Sequence, residues 1–120
     1  MAARLSKAQR EELLERTIAV LDRHAVQGRT LTYLALADAI AMPGPQRIHR
    51  VTRLLEILMK QDADAGRPVR SALVISRVGH GLPAAGFFDR AQRLGLFDGT
   101  DPAAFHREVL ARLSEQSAVT

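Results

Sequence analysis

Apolar residues recur three or four positions apart along most of the chain, and this spacing predicts a mainly helical protein. The pattern predicts an N-terminal helix over residues 6–27, two helices joined by a turn over residues 32–62, and C-terminal helices over residues 85–116. A chain of 120 residues is long enough for one hydrophobic core. We therefore expect a single domain over residues 1–120.

Capping residues mark the ends of the first two helices. Ser6 and Gln9 have the spacing of a capping box, and Gly28 follows the first apolar stripe as a C-terminal stop. Thr32 precedes a short apolar stretch that starts at Tyr33, where a hydroxyl can accept a backbone hydrogen bond. The sequence thus predicts a long scaffold helix followed by a short one.

The segment from residue 44 to residue 62 combines an apolar face with a basic face. Gly44 is the predicted N-cap, and Pro45 fits the first helical position because its missing N–H has no partner there. One face carries Ile48, Val51, Leu54, Leu55, Leu58 and Met59, and the opposite face carries Gln46, His49, Arg50, Arg53 and Lys60. This pattern favours a recognition helix, although a bundle helix with an arginine-rich solvent face shows the same pattern.

The stretch after this helix has the composition of a strand and a turn. Residues 69–78 are rich in β-branched and aliphatic residues, a glycine-rich turn follows, and Pro83 cannot continue a ladder. We predict a strand and wing over residues 69–83, with Arg77 and His80 at the tip. The order of elements predicts a helix-rich α+β fold, a winged helix-turn-helix with a small β-hairpin wing and additional terminal helices.

Charge and cysteine content narrow the classes of function. Seventeen basic residues, fifteen of them arginine, stand against thirteen acidic residues, and the net charge of +4 suggests a polyanionic partner. The chain has no cysteine, which excludes a disulfide, a thiol nucleophile and a thiolate metal site. No apolar run approaches about 20 residues and no leader with a cleavage site is visible, so we expect a cytoplasmic protein without a membrane partner.

Residues with catalytic or metal-binding chemistry are scattered along the chain. The four histidines fall in four different predicted elements, which argues against a helical zinc site. Asp62 and Asp64 lie at a predicted helix end, where we expect a solvated terminus, and Ser71 has no histidine close to it in sequence. Phosphate-binding loops and nucleophile elbows are absent. We therefore expect no metal, no cofactor and no enzyme activity.

One combination of residues resembles a known family. Thr32-Tyr33-x-x-Leu36-Ala37 is followed, fourteen residues after the tyrosine, by Arg47 near the start of the basic helix. Together with the downstream strand and glycine-rich turn, this is similar to the DNA-binding domain of alkylguanine-DNA alkyltransferases and of the catalytically inactive alkyltransferase-like proteins. The resemblance covers roughly residues 30–96.

The resemblance implies roles for two residues and excludes one reaction. In the family the tyrosine touches the target phosphate and the arginine enters the base stack in place of a flipped base, which would be the roles of Tyr33 and Arg47. The family's proline-cysteine-histidine-arginine motif, which carries the alkyl acceptor, is absent here. Its position falls around residues 71–73, where no thiolate is available, so cysteine-based alkyl transfer is excluded.

These observations lead to one main hypothesis and two alternatives. We expect non-catalytic binding of double-stranded DNA, as a transcriptional regulator or as a sensor of DNA lesions or structure. The alternatives are a protein–protein interaction module on a winged-helix scaffold and an uncharacterised hydrolase, which ranks last. The predicted nucleic-acid-binding residues are Thr32, Tyr33, Arg47, His49, Arg50, Arg53, Lys60, Arg77 and His80.

Overall fold

A computed structural model describes residues 4–118. In chain order the elements are α1 (Lys7–Gln27), β1 (Leu31–Thr32), α2 (Tyr33–Ala39), α3 (Arg47–Asp64), a 3-10 helix (Arg70–Leu73), β2 (Val74–Ile75), α4 (Ala85–Arg93) and α5 (Pro102–Ala118). The helix-rich α+β class predicted from the sequence is confirmed. No helix between residues 4 and 118 is long and apolar enough to cross a bilayer.

The caps of the first two helices are those predicted. The Ser6 hydroxyl accepts a hydrogen bond from the Gln9 backbone N–H, and the Gln9 side chain accepts one from the Ser6 N–H at 2.8 Å. Gly28 ends α1 in the left-handed conformation with φ 65°, which a residue without a Cβ adopts at low cost. The Thr32 hydroxyl accepts a hydrogen bond from the N–H of Ala35, two residues inside α2.

The predicted start of α3 is wrong by two residues. Gly44 is not the N-cap and Pro45 is not helical; the peptide bond between them is cis. Gln46 is the N-cap, and its left-handed φ of 57° prevents the helix from extending back through it. The first turn therefore begins at Arg47.

The apolar face of α3 is confirmed except at its beginning. The five residues that pack into the core are Val51, Leu54, Leu55, Leu58 and Met59. Ile48 was expected among them, but it is 49% exposed. It lies in the first turn, beside Leu34 on an open surface at the edge of the core, so the apolar stripe runs past the end of the packed interface.

The predicted strand and β-hairpin wing are replaced by other structure. Residues 70–73 form the 3-10 helix, and β2 is only two residues long and pairs in parallel with β1, Leu31 opposite Val74. Residues 71–74 are all buried, because the short helix contacts α1, α3 and α5. A strand with one solvent-exposed face would alternate buried and exposed side chains. The four consecutive buried residues are instead accommodated by the 3-10 helix and the start of β2. Residues 76–82 form a loop closed by a 2.8 Å hydrogen bond from the Ser76 N–H to the Leu82 carbonyl, without an antiparallel ladder in the described chain.

Asp62 is fully buried, so the prediction of a solvated terminus is wrong for this residue. α3 continues to Asp64, and the chain then turns back so that Arg70 reaches the carboxylate. The Asp62 oxygens accept hydrogen bonds from the Arg70 backbone N–H at 2.9 Å and from its guanidinium at 2.8 Å. Arg70 also pairs with Asp22 of α1 at 3.2 Å, so one guanidinium joins α1, α3 and the 3-10 helix.

The C-terminal helices close the core with an aromatic cluster. The four phenylalanines of the chain, Phe87, Phe88, Phe97 and Phe105, contact one another, and Phe97 stacks on Phe105 with ring centroids 4.6 Å apart. His106 is buried in α5 and its Nε2 lies 2.8 Å from the Ala72 carbonyl oxygen. The aromatic cluster joins α4 to α5, and the His106 contact joins α5 to the 3-10 helix.

Candidate nucleic-acid interface

Two arginines of α3 hold the turn between α2 and α3. Arg47 donates from Nε to the Met42 carbonyl and from Nη2 to the Asp38 carboxylate, both at 2.8 Å. Arg50, one turn later, donates to the Pro43 carbonyl at 2.9 Å. The Arg47 guanidinium is thus folded back against the turn, with 35% of its side chain exposed, and fixes the position of the first turn of α3.

A concave surface of about 920 Å³, which we call the basic groove, lies beside α3. Arg50 and Arg53 of α3 line it, together with Arg90 of α4. Its full lining is Arg4, Leu5, Arg10, Gln46, His49, Arg50, Arg53, Leu54, Glu56, Ile57 and Arg90. Five arginines therefore converge, and Glu56 is the one acidic residue in the lining within residues 4–118.

Arg90 is attached to α3 by a backbone contact. Its Nε donates a hydrogen bond to the Glu56 carbonyl at 3.2 Å, and the side chain is partly buried. This contact orients a charged side chain of α4 along α3. Arg4, Arg10 and Arg90 were not predicted from the sequence, because they lie far from α3 in sequence and no local pattern connects them to it.

A second surface, which we call the apolar shelf, lies at the N-terminal end of α3. It is lined by Leu34, Gly44, Pro45, Gln46, Arg47, Ile48 and His49, with a volume of about 780 Å³. Leu34 and Ile48 are 40% and 49% exposed. Gln46 and His49 line both the shelf and the basic groove, so the two surfaces are continuous.

Thr32 and Tyr33 make structural contacts at the start of α2 and do not line the basic groove. Thr32 caps α2, and the partly buried Tyr33 accepts a 3.0 Å hydrogen bond from the Ala84 N–H through its hydroxyl. Burial raises the pKa of Tyr33, and this hydrogen bond offsets part of the rise. The ring lines a small cavity of about 30 Å³ that also contains Ser71, whose hydroxyl donates to the Leu55 carbonyl at 2.9 Å.

The remaining predicted site residues also lie outside the groove lining. Lys60 pairs with Asp64 at 3.2 Å near the C-terminal end of α3. Arg77 and His80 are exposed on the loop at 76–82, where His80 has a positive φ of 54°. Of the nine predicted residues, the structure thus brings His49, Arg50 and Arg53 together in the groove, with Arg47 beside them on the shelf.

Neither metal-binding side chains nor comparison with known proteins points to another functional site. No group of three or more histidine, aspartate or glutamate side chains suited to a metal ion occurs within residues 4–118. No protein-family model, no curated protein and no solved structure matches this chain. The basic groove and the adjoining apolar shelf are therefore the features on which a function is argued.

Proposed function

We propose that this protein binds double-stranded DNA without catalysis, with one sugar-phosphate backbone in the basic groove. The observation that carries the proposal is the convergence of five arginines from three parts of the chain on one concave surface. Guanidinium groups form paired hydrogen bonds with phosphate oxygens and stay charged at any physiological pH. A row of them along a groove suits a polymer of phosphates.

The shape of the surface suggests how a duplex would lie. Because α3 is flanked by Arg10 of α1 and Arg90 of α4, its middle cannot enter a DNA groove as freely as its exposed first turn. Recognition helices commonly contact base edges through their N-terminal residues. We therefore place the first turn of α3 at the bases, and Arg50 and Arg53 at the phosphates beside them.

We also propose that the fold works as a winged helix-turn-helix. The pair α2 and α3 acts as the helix-turn-helix, and the closed loop at 76–82 takes the place of the wing, with Arg77 and His80 on the flanking backbone. The resemblance to alkyltransferase-like proteins rests on the sequence match at Tyr33 and Arg47, whose polar groups are both hydrogen-bonded within this chain. A regulator and a sensor of altered DNA both fit this arrangement.

A salt titration of duplex binding tests the proposal. Affinity should fall steeply with salt, and Arg53→Ala should weaken binding to all duplexes and reduce the slope of log K against log salt by about one. Arg53 is the cleanest position, because it is exposed whereas Arg47 and Arg50 hold the turn. Arg112→Ala is the matched control, since it removes the same charge from an exposed position of α5 outside the groove. Absence of wild-type binding at low salt, or equal effects of both variants, would contradict the proposal.

One observation favours a protein partner as a second candidate. Leu34 and Ile48 expose apolar side chains next to each other on the shelf. An interface built on them would be nearly indifferent to salt, because burial of apolar surface depends little on ionic screening. Steep salt dependence of partner binding therefore favours DNA, and salt-independent binding favours a protein partner.

A further inference from the structure

The apolar shelf presents Ile48 and Gln46 at the start of α3, whereas the basic groove presents five arginines. Ile48 is half exposed, although the apolar pattern of α3 predicts that it should be in the core. Arg47, its neighbour, directs two guanidinium nitrogens to Asp38 and the Met42 carbonyl. The part of the shelf around Ile48 therefore has an apolar surface next to an arginine-lined groove.

We propose that this turn recognises a T·A base pair in the major groove, with Ile48 against the C5-methyl group of thymine and the Gln46 amide on the adenine. The proposal rests on the proposed binding of duplex DNA. It adds a preference for thymine at one position of the bound site and names the two residues that produce it.

The thymine methyl is the ligand that matches Ile48. It is the one apolar group that a standard base pair displays in the major groove, and apolar side chains contact it in known complexes. Phosphates and polar base edges would lose hydration against Ile48 and Leu34 without gaining a hydrogen bond. The exposed apolar area thus selects a methyl group over the other groups of the duplex.

Gln46 supplies the complementary polar contact two residues away. It is exposed, makes no side-chain capping hydrogen bond at the start of α3, and lines both the shelf and the groove. A glutamine amide can donate to adenine N7 and accept from adenine N6, which is the pairing that distinguishes adenine in the major groove. Its left-handed backbone holds it ahead of the helix, beside Ile48.

Exchange of thymine for deoxyuridine tests the methyl contact directly. An A/T-rich duplex and the same duplex with deoxyuridine at every thymine differ only in the C5-methyl groups. We expect the wild type to bind the thymine duplex about fourfold more tightly for one buried methyl group. Ile48→Ala should bind both duplexes equally. Val26→Ala, which shortens an exposed aliphatic side chain of α1 outside both surfaces, should keep the wild-type ratio.

The Gln46 contact has its own test. Replacement of adenine by 7-deazaadenine removes the N7 acceptor and should weaken wild-type binding, whereas Gln46→Ala should be insensitive to the exchange. Both side chains are exposed and neither packs into the core, so we expect each variant to fold. Thermal unfolding of each variant checks this.

The outcomes separate this inference from the proposed function. Salt-dependent wild-type binding with equal affinity for the thymine and deoxyuridine duplexes would overturn thymine recognition and leave DNA binding in place. That result is expected for a minor-groove contact, where the two duplexes are alike. Absence of binding to either duplex at low salt would overturn both.

Discussion

At the scale of single residues, the most consequential feature is the pairing of Asp62 with Arg70. The carboxylate is fully buried and the Arg70 side chain is 11% exposed, so neither charge is well hydrated. Burial by itself lowers the pKa of Arg70, but hydrogen bonds and charge from Asp62 and Asp22 outweigh it and raise the pKa. The arginine therefore stays charged wherever the protein is folded.

Removal of Arg70 should destabilise the protein strongly. Arg70→Ala removes the guanidinium that pairs with the fully buried Asp62 carboxylate, and we expect a loss of roughly 3–5 kcal/mol in the free energy of unfolding. Arg67→Ala is the control, because Arg67 is 48% exposed and lies 3.9 Å from the same carboxylate. Its loss should be under about 1 kcal/mol. Urea denaturation measures both; a similar small loss in the two variants would show that Asp62 does not depend on Arg70.

Tyr33 makes stability sensitive to alkaline pH. Its pKa in the folded protein is raised above the ordinary value of 10.0 by burial. A group whose folded pKa is raised contributes stability fully below its unfolded pKa and loses it as the pH rises through the folded pKa. Stability should therefore fall above a pH of about 10, and Tyr33→Phe should lack this component.

The titration of Tyr33 can be observed without interference. It is the one tyrosine of the chain, and there is no tryptophan, so tyrosinate absorbance reports on it alone. The midpoint in the folded protein should lie higher than in denaturant. Equal midpoints in the two conditions would mean that the phenol is solvated in the folded state.

At the scale of elements, α3 has a structural function on its apolar face, and a proposed binding function on its basic face and in its first turn. Leu58, in the middle of the apolar face, is fully buried, whereas Ile48 in the first turn is half exposed. Arg47 and Arg50 fasten the same turn to the chain that precedes it. The first turn of α3 is therefore held in place more by the hydrogen bonds of Arg47 and Arg50 to the preceding residues than by core packing.

Alanine substitutions along α3 should reveal this division. Leu58→Ala should lower the free energy of unfolding by roughly 2–5 kcal/mol, because it removes packed atoms and leaves a cavity. Ile48→Ala, which removes a similar volume from a half-exposed position, should cost less than about 1 kcal/mol. Thermal or urea unfolding gives both values. If Ile48→Ala were as costly as Leu58→Ala, the shelf would have to be covered in solution.

At the scale of the whole molecule, charge is distributed unevenly. The net charge is only +4, yet five arginines meet in the basic groove. A separate hollow between α4 and α5 is lined by Asp98, Asp101 and Glu108. Hydrogen bonds from the Thr100 backbone N–H and hydroxyl lower the pKa of Asp98. A polyanion would be attracted by the groove and repelled by the hollow, which orients its approach.

The sequence by itself determined the features that depend on neighbouring residues. The positions of the helices, the caps at Ser6, Gly28 and Thr32, and most of the apolar face of α3 follow from helical spacing and from hydrogen bonds between residues a few positions apart. Arg50 and Arg53 were placed together for the same reason, since they are one helical turn apart on one face.

Only the tertiary structure decided the features that join distant segments. The apolar run at 69–78 fits a strand or a buried short helix equally well, and packing against α1, α3 and α5 selected the 3-10 helix. Asp62 became a core residue because Arg70 folds back onto it. Arg4, Arg10 and Arg90 joined the groove because the segment before α1, α1 and α4 meet beside α3. The burial of Asp62 and the convergence of the five arginines depend on contacts between distant segments, which no local periodicity encodes.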